Sequence, residues 1–295
     1  MLSTLMTMPD DLPPFQPLDH RLAGVPLSET LRAGVPGDLE RPLREWLTDT
    51  VSDELAQRTL IRLRWPNNAN YNYHTILARL TSTEDLLIAI DAILQLYPDW
   101  PTGNYATREG NVFLVAVVKL DQLLTDGGSE LRVNSRDHRL ERRVDETVAS
   151  AVNYAANGSA DEVRLHLSAA WAAAYGLTPD PDTSYRESVR AVESVACPLV
   201  LPAASAASKA TLGTVIGELR NNSAHLWEFI LPTSTGDPQD VKQLVEMLQM
   251  LWQGQVSRHG GGANSRKQSQ AEAEAAVHLA ATLVQWFSSG AIRRK

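Results

Sequence analysis

From Ser159 onward the chain is written in alanine-rich segments whose apolar residues recur every three or four positions, and that spacing admits little besides packed helices. Ser159 is placed to cap a helix running to Tyr175, with Val163, Leu167, Ala170, Trp171 and Ala174 on one face and Gly176 as its stop. A rigid Pro179-Asp-Pro-Asp182 turn precedes a helix from Tyr185 to Ala196, which Pro198 and Pro202 are expected to break. Ser208 caps the next, carrying Leu212, Val215, Ile216 and Leu219. Asp237 as cap and Pro238 in the first turn predict a regular helix with Val241, Leu244, Val245, Leu248, Leu251 and Trp252 along one stripe. The last helix opens with Ser269-Gln-Ala-Glu272, a capping box, runs through Ala276, Leu279, Ala280, Leu283 and Phe287, and stops at Gly290. Such a series makes a helical bundle.

Upstream the texture differs. Four prolines between Pro9 and Pro17 predict a loose leader over 1–20. Helices are expected from Asp38 to Leu47 and from Thr83 to Tyr97, the second with Leu86, Leu87, Ile90, Ile93 and Leu94 on one side. Val112 to Leu124 reads as a buried helix. Glu130–Val133 and Leu140–Val144, flanking Asn134-Ser-Arg-Asp-His138, predict a small β-hairpin whose charges form an exposed face. The fold expected is all-α, with a helical N-terminal domain (21–155) carrying the hairpin, followed by a helical bundle (156–295).

Composition narrows the function classes. Hydrophobic residues make up 43% of the 295, enough for a buried core. A lone cysteine, Cys197, excludes a disulfide framework and a cysteine-based zinc site. No apolar run approaches the roughly 20 residues that span a bilayer, and Met1–Phe15 lacks the basic start of a secretory signal. A cytoplasmic protein with no membrane partner is therefore expected. The net charge of −8 opposes broad nucleic-acid binding, yet from Gln253 onward the chain carries a net +4. That basic end permits a local anion site.

The chemistry-bearing residues concentrate there. Trp252-Gln-Gly-Gln-Val-Ser-Arg258-His259-Gly260 places a guanidinium beside an imidazole on glycine-softened backbone, ahead of a polar loop and a capped helix. Near its ordinary pKa of about 6.5, a histidine moves protons at neutral pH. Arginine offers a fixed fork to phosphoryl oxygens. Arg266 and Lys267 are candidate substrate-binding residues in the same region. The other histidines, His20, His74, His138, His166 and His278, lack partners at metal-ligand spacing, and no Walker-type or dinucleotide loop is present. His278 is expected to meet Glu274, four residues away on the same helix. Gly213 and Gly217 are expected to allow close helix packing. Glu193 is either a partner of Arg258 and His259 or a solvated carboxylate.

Several pieces in order carry a resemblance: Trp171-Ala-Ala-Ala-Tyr175-Gly, Pro179-Asp-Pro, Ala210-Thr-Leu-Gly-Thr-Val-Ile-Gly217, Leu251-Trp252 leading to Arg258-His259-Gly260, and the alanine-rich stretch from Ala273 to Trp286. Over roughly residues 155–292 the chain resembles the C-terminal domain of bacterial and phage abortive-infection proteins, which is similar to HEPN bundles. That resemblance implies antiviral defence, RNA as substrate, a homodimer, and metal-independent ribonuclease chemistry, with no cofactor. Family members use an arginine and a histidine separated by four to six residues. By context His259 takes the place of the family histidine; Arg258 matches by charge alone, because Trp252, Gln253 and Gly254 stand where the family arginine is found.

A second constellation has the spacing without the context. In Arg220-Asn221-Asn-Ser-Ala-His225, arginine, a polar residue and histidine follow the family order. Inside one helix, positions five apart diverge by roughly 140°, so the pair converges only if the helix breaks at Asn221-Asn222 or across a dimer. The leading expectation is a phage-defence ribonuclease with His259 and Arg258 catalytic and Arg220, Asn221 and His225 as the alternative site. The competing expectation is a non-catalytic helical module that binds RNA, a nucleotide or a protein partner through its N-terminal half, or that mainly dimerises.

Overall fold

Two apolar cores, one in each half of the chain, organise the helices, and a two-stranded hairpin joins them. The computed structural model describes residues 22–23, 31–66, 73–97, 108–135, 137–221, 226–256 and 266–295. The first core is built by α1 (Gly37–Thr50), α2 (Asp53–Arg62), α3 (Tyr73–Arg79), α4 (Thr83–Leu96) and α5 (Arg108–Asp126). Ser52 and Ser82 cap α2 and α4, accepting from the Leu55 and Asp85 amides and so satisfying donors that a helix start leaves orphaned. Leu43, Trp46, Leu47, Ile90, Ile93, Leu120 and Leu124 form its fully buried centre. The Trp46 indole donates to the Ala116 carbonyl at 2.6 Å, which satisfies its one polar atom on burial. The expected helix over 112–124 is thus α5.

β1 (Leu131–Asn134) and β2 (Arg139–Arg142) form the expected hairpin, antiparallel with Leu131 opposite Arg142 and Asn134 opposite Arg139. His138 adopts φ 56° in its turn. The hairpin charges are not the exposed face expected of them. Glu141 is 1% exposed. Its carboxylate accepts from Arg132 Nε at 2.9 Å and Nη2 at 2.7 Å, from Asn134 Nδ2 at 2.7 Å and from the Trp171 indole at 3.1 Å. A buried charge survives only with such saturation. Trp171 belongs to the second core, so this carboxylate ties the two halves together.

The second core comprises α6 (Glu146–Asn157), α7 (Asp161–Tyr175), α8 (Pro181–Val200), the short α9 (Pro202–Ala206), α10 (Leu212–Asn221), α11 (Lys242–Gly254) and α12 (Gln270–Ser288). It takes in α6 through Ala149, Val152, Ala155 and Ala156, and so reaches upstream of residue 156. Helix α8 lies against both α7 and α12, its closest neighbours. Fully buried alanines (Ala170, Ala174, Ala191, Ala196, Ala280) let these helices approach closely. Cys197 is buried, and burial, with the Glu193 charge, pushes its thiol up to about 11.

Four local expectations are corrected. Ala160, not Ser159, is the N-cap of α7; the Ser159 hydroxyl donates back to the Ala155 carbonyl. Helix α8 starts at Pro181 with Asp180 as its cap and runs through Pro198 to Val200, because a proline in the last turn forfeits one hydrogen bond without ending the ladder. Ser208 does not cap α10; it takes φ 54°, and the helix begins four residues later. Asp237-Pro238 does not open α11 either. Pro238–Gln239 forms β4, pairing with β3 (Trp227–Pro232), whose other neighbour is β5 (Ile292–Arg294). The capping box of α12 is formed as expected, and Gly290 follows at φ 73°. Gly213 has the predicted close approach, since a Cβ there would sit 3.0 Å from the Trp252 ring, whereas Gly217 faces open space. Among the described residues no helix is long and apolar enough to cross a membrane.

Candidate functional site

The basic C-terminal region is organised around the junction between α11 and α12. Helix α11 ends at Gly254 because the next backbone step leaves helical geometry at Gln255 (ψ 77°). Helix α12 begins where the Ser269 hydroxyl and the Glu272 carboxylate exchange hydrogen bonds with each other's amides. Between these ends lie Arg258 and His259, which fall outside the described residues.

Both flanks of that segment are held by the first turns of α8. The Gln268 amide donates to Asp182 Oδ1 at 2.9 Å, and its side-chain Nε2 donates to the Gly254 carbonyl at 2.8 Å. The Tyr185 hydroxyl donates to the Leu251 carbonyl at 3.1 Å. So the last turn of α11 and the approach to α12 are tied to each other and to one helix. Gln268 is 5% exposed, yet its Oε1 finds no hydrogen-bond partner among the described residues. A buried acceptor left without a donor costs about 1–3 kcal/mol. The fit is tight at Gly254, where a side chain would meet the Tyr185 ring, with Cζ at 3.2 Å.

The remaining predicted residues fall into two groups. Arg266 is exposed and forks onto Glu272, with Nη1 to Oε2 at 2.8 Å and Nη2 to Oε1, while Nη1 also reaches the Lys267 carbonyl at 2.9 Å. Arg266 and the Ser269 amide together pull the Glu272 carboxyl down to about 2. Arg266 thus has one hand on the α12 start, and Lys267 is exposed beside it. Arg220 stands in the last turn of α10, donating to the Gln249 side chain of α11. Asn221 is the last residue of α10 and is exposed, and His225 lies outside the described residues. The expected helix break at Asn221-Asn222 therefore borders on residues outside those described.

Sequence reasoning missed Asp182, Tyr185 and Gln268, and the polar partners of several other groups. Among the described residues the Glu193 carboxylate accepts from the Leu212 amide at 2.8 Å and so caps α10, while its expected partners Arg258 and His259 lie outside them. His278 meets the Tyr175 hydroxyl at 2.7 Å and feels the Glu274 charge, while Glu274 receives Arg142 at 2.8 Å and Gln270 at 2.7 Å. Burial pushes His278 down, and burial beside Glu274 pushes Tyr175 up to about 12, so the phenol keeps its proton. His166 Nδ1 sits 2.7 Å from Glu187, which also accepts from Arg190 at 2.9 Å. Burial raises the Glu187 carboxyl, but the His166 hydrogen bond and the Arg190 charge outweigh it and leave it below its usual range. Among the described residues no group of histidine, cysteine and acidic side chains is arranged to hold a metal ion. No protein-family model, curated protein or solved structure matches the chain.

Proposed function

We propose that the chain is a metal-independent ribonuclease of the abortive-infection type, working at the junction between α11 and α12. The reading is carried by the double attachment of that junction to α8 through Gln268, Asp182 and Tyr185. A spacer between two helices needs no such anchoring, whereas a catalytic pair must be held to within a fraction of an ångström and is held best from rigid elements. In this reading His259 takes the proton of an RNA 2′-hydroxyl as its oxygen attacks the adjacent phosphorus. Arg258 faces the charge that builds on the phosphoryl oxygens, and the 5′-oxygen leaves with a proton. The products are a 2′,3′-cyclic phosphate and a 5′-hydroxyl. The protein acts as a cytoplasmic homodimer in antiviral defence.

The second reading moves the chemistry to Arg220, Asn221 and His225. It is favoured by one observation: the chain has passed from α10, which carries Arg220, into strand β3 by Trp227, two residues after His225.

Incubating purified protein with total bacterial RNA in EDTA, wild type beside His259→Ala and His225→Ala, tests both. Loss of cleavage in His259→Ala alone is the expected result. Loss in His225→Ala alone transfers the site to the Arg220 segment. Wild-type protein that cleaves nothing overturns the ribonuclease reading in favour of a binding module.

A further inference from the structure

Helix α8 turns only one of its faces to the α11–α12 junction. On the flank it shares with α7, one carboxylate gathers three nitrogen-bearing side chains: Glu187 meets His166 from α7 and Arg186 and Arg190 from its own helix. We propose that this cluster binds a phosphate group carried as a monoester. The inference does not rest on the ribonuclease reading. Glu187 stands two residues after Tyr185 and so about 200° around α8 from the hydroxyl that holds the junction.

Helix geometry assembles the cluster. Positions 183, 186, 187 and 190 recur at three- and four-residue spacing and share one face of α8. Arg186 Nη2 donates to the Thr183 hydroxyl at 3.0 Å and its Nε reaches Glu187 Oε1 at 3.4 Å, while Arg190 Nη1 donates to that same oxygen at 2.9 Å. The other oxygen, Oε2, lies 2.7 Å from His166 Nδ1. With its carboxyl held below the usual range, Glu187 is ionised at neutral pH and can only accept, so Nδ1 carries the proton. The ring is thereby fixed with its second nitrogen, Nε2, making no hydrogen bond among the described residues. Glu187 is a positioning residue: it orients all three side chains, and side chains fixed in advance lose less entropy on binding.

What the carboxylate holds it does not saturate. A guanidinium has five N–H donors, and the described bonds take one from Arg190 and two from Arg186, both about half exposed. Two guanidiniums meet one carboxylate here, which leaves a positive charge over. The acid that faces it from α7 is Glu162, whose Oε1 is 4.0 Å from His166 Nε2, beyond hydrogen-bond reach, on a side chain 74% exposed. A carboxylate so placed is screened by water, and an incoming anion displaces it with little loss.

A phosphate monoester carries about −1.5 to −2 charges at pH 7 and three strong acceptor oxygens. Two guanidinium forks and an imidazole give each oxygen a partner. Nε2 serves in either state: bare, it accepts the hydrogen of a singly charged phosphate; protonated, it donates to the doubly charged one. A carboxylate ligand or an internal phosphodiester brings one charge and two free oxygens and leaves one of the three groups idle.

The phosphate can belong to a small metabolite or to the 5′ end of an RNA strand. The His166 ring resonances of the full chain, identified by their loss in His166→Asn, are followed at pH 7 as inorganic phosphate is added, with sodium chloride of matched ionic strength as control. Saturable shifts with a Kd of about 1 mM are expected. Arg190→Ala should weaken binding about tenfold, and Glu162→Gln, which removes the competing carboxylate, should strengthen it about threefold. Circular dichroism confirms the fold of each variant. Glycerol phosphate that binds tighter than a 5′-phosphorylated tetranucleotide identifies a metabolite site. A tetranucleotide that binds tighter than glycerol phosphate and than its own 5′-hydroxyl twin identifies a site for RNA ends. No saturable shift, shifts that chloride reproduces, or binding that Arg190→Ala and Glu162→Gln both leave unchanged, overturns the proposal.

Discussion

Replacing Gly254 by alanine tests the anchoring of the α11–α12 junction with the smallest possible change. A methyl group there falls inside contact distance of the Tyr185 hydroxyl and 3.2 Å from its Cζ, and Tyr185 is 6% exposed. The ring has to move, and overpacking of this kind costs about 1–3 kcal/mol. Moving it also breaks the hydrogen bond to the Leu251 carbonyl, at about 1 kcal/mol. Against this stands the helix preference of alanine over glycine, at most about 1 kcal/mol and less at the last helical residue. The net expectation is a loss of about 2 kcal/mol. Tyr185→Phe alone removes the hydroxyl and costs about 1 kcal/mol. In that background most of the Gly254→Ala penalty disappears, so the pair is non-additive by about 1 kcal/mol or more. Urea unfolding of the four proteins, followed by circular dichroism with a check that slopes are unchanged, measures the cycle. Additive effects, or a Gly254→Ala protein more stable than wild type, would refute the described packing of α8 against the junction.

Two further outcomes follow from buried and capping charges. Glu141→Ala strips the acceptor from Arg132, Asn134 and Trp171; removing one partner of a buried pair costs about 3–5 kcal/mol, and the partial exposure of Arg132 puts this case near 3. Thermal unfolding should show it plainly, and a change under about 0.5 kcal/mol contradicts the burial of that carboxylate. At the start of α12, Glu272 is held at about 2 against an ordinary 4.5, so its contribution is whole above pH 4.5 and is lost as pH falls toward 2. The pair with Arg266 is largely solvated, which keeps the effect under about 1 kcal/mol. The stability difference between wild type and Glu272→Gln should therefore be present at pH 5 and vanish near pH 2; a difference that instead grows on acidification reverses the sign and sinks the assignment.

How much of this was legible in the sequence depended on whether the determining contact was local. Helix α12 was readable because Ser269 and Glu272 sit three residues apart and settle the start between themselves. Helices α1, α4 and α5 follow from the spacing of their leucines and isoleucines, which is a local pattern too. Strand β3 was not readable: its pairing with β5 joins Glu228 to Arg293 across 65 positions, and nothing near Trp227 announces that partner. The same pairing explains the displaced start of α11, since Pro238 and Gln239 serve as β4 against β3, and the helix waits until Lys242. Charges misled for a related reason. Glu141 looks like any acid in a hairpin, and only Trp171, 30 residues on, reveals that it is buried. The candidate site was half legible. Its histidines and arginines stand out by type, but Gln268 and Tyr185, which organise the junction, are ordinary residues until their partners are known.

The most direct test of the central claim is cleavage of matched oligonucleotides in EDTA, one all-RNA and one carrying 2′-deoxy sugars, with the product ends identified. Attack by the 2′-hydroxyl predicts that the RNA is cut to leave a 2′,3′-cyclic phosphate, that the deoxy strand survives, and that His259→Ala abolishes the cut while remaining folded. Cutting of the deoxy strand, ends other than a cyclic phosphate, or an intact RNA strand would contradict the account.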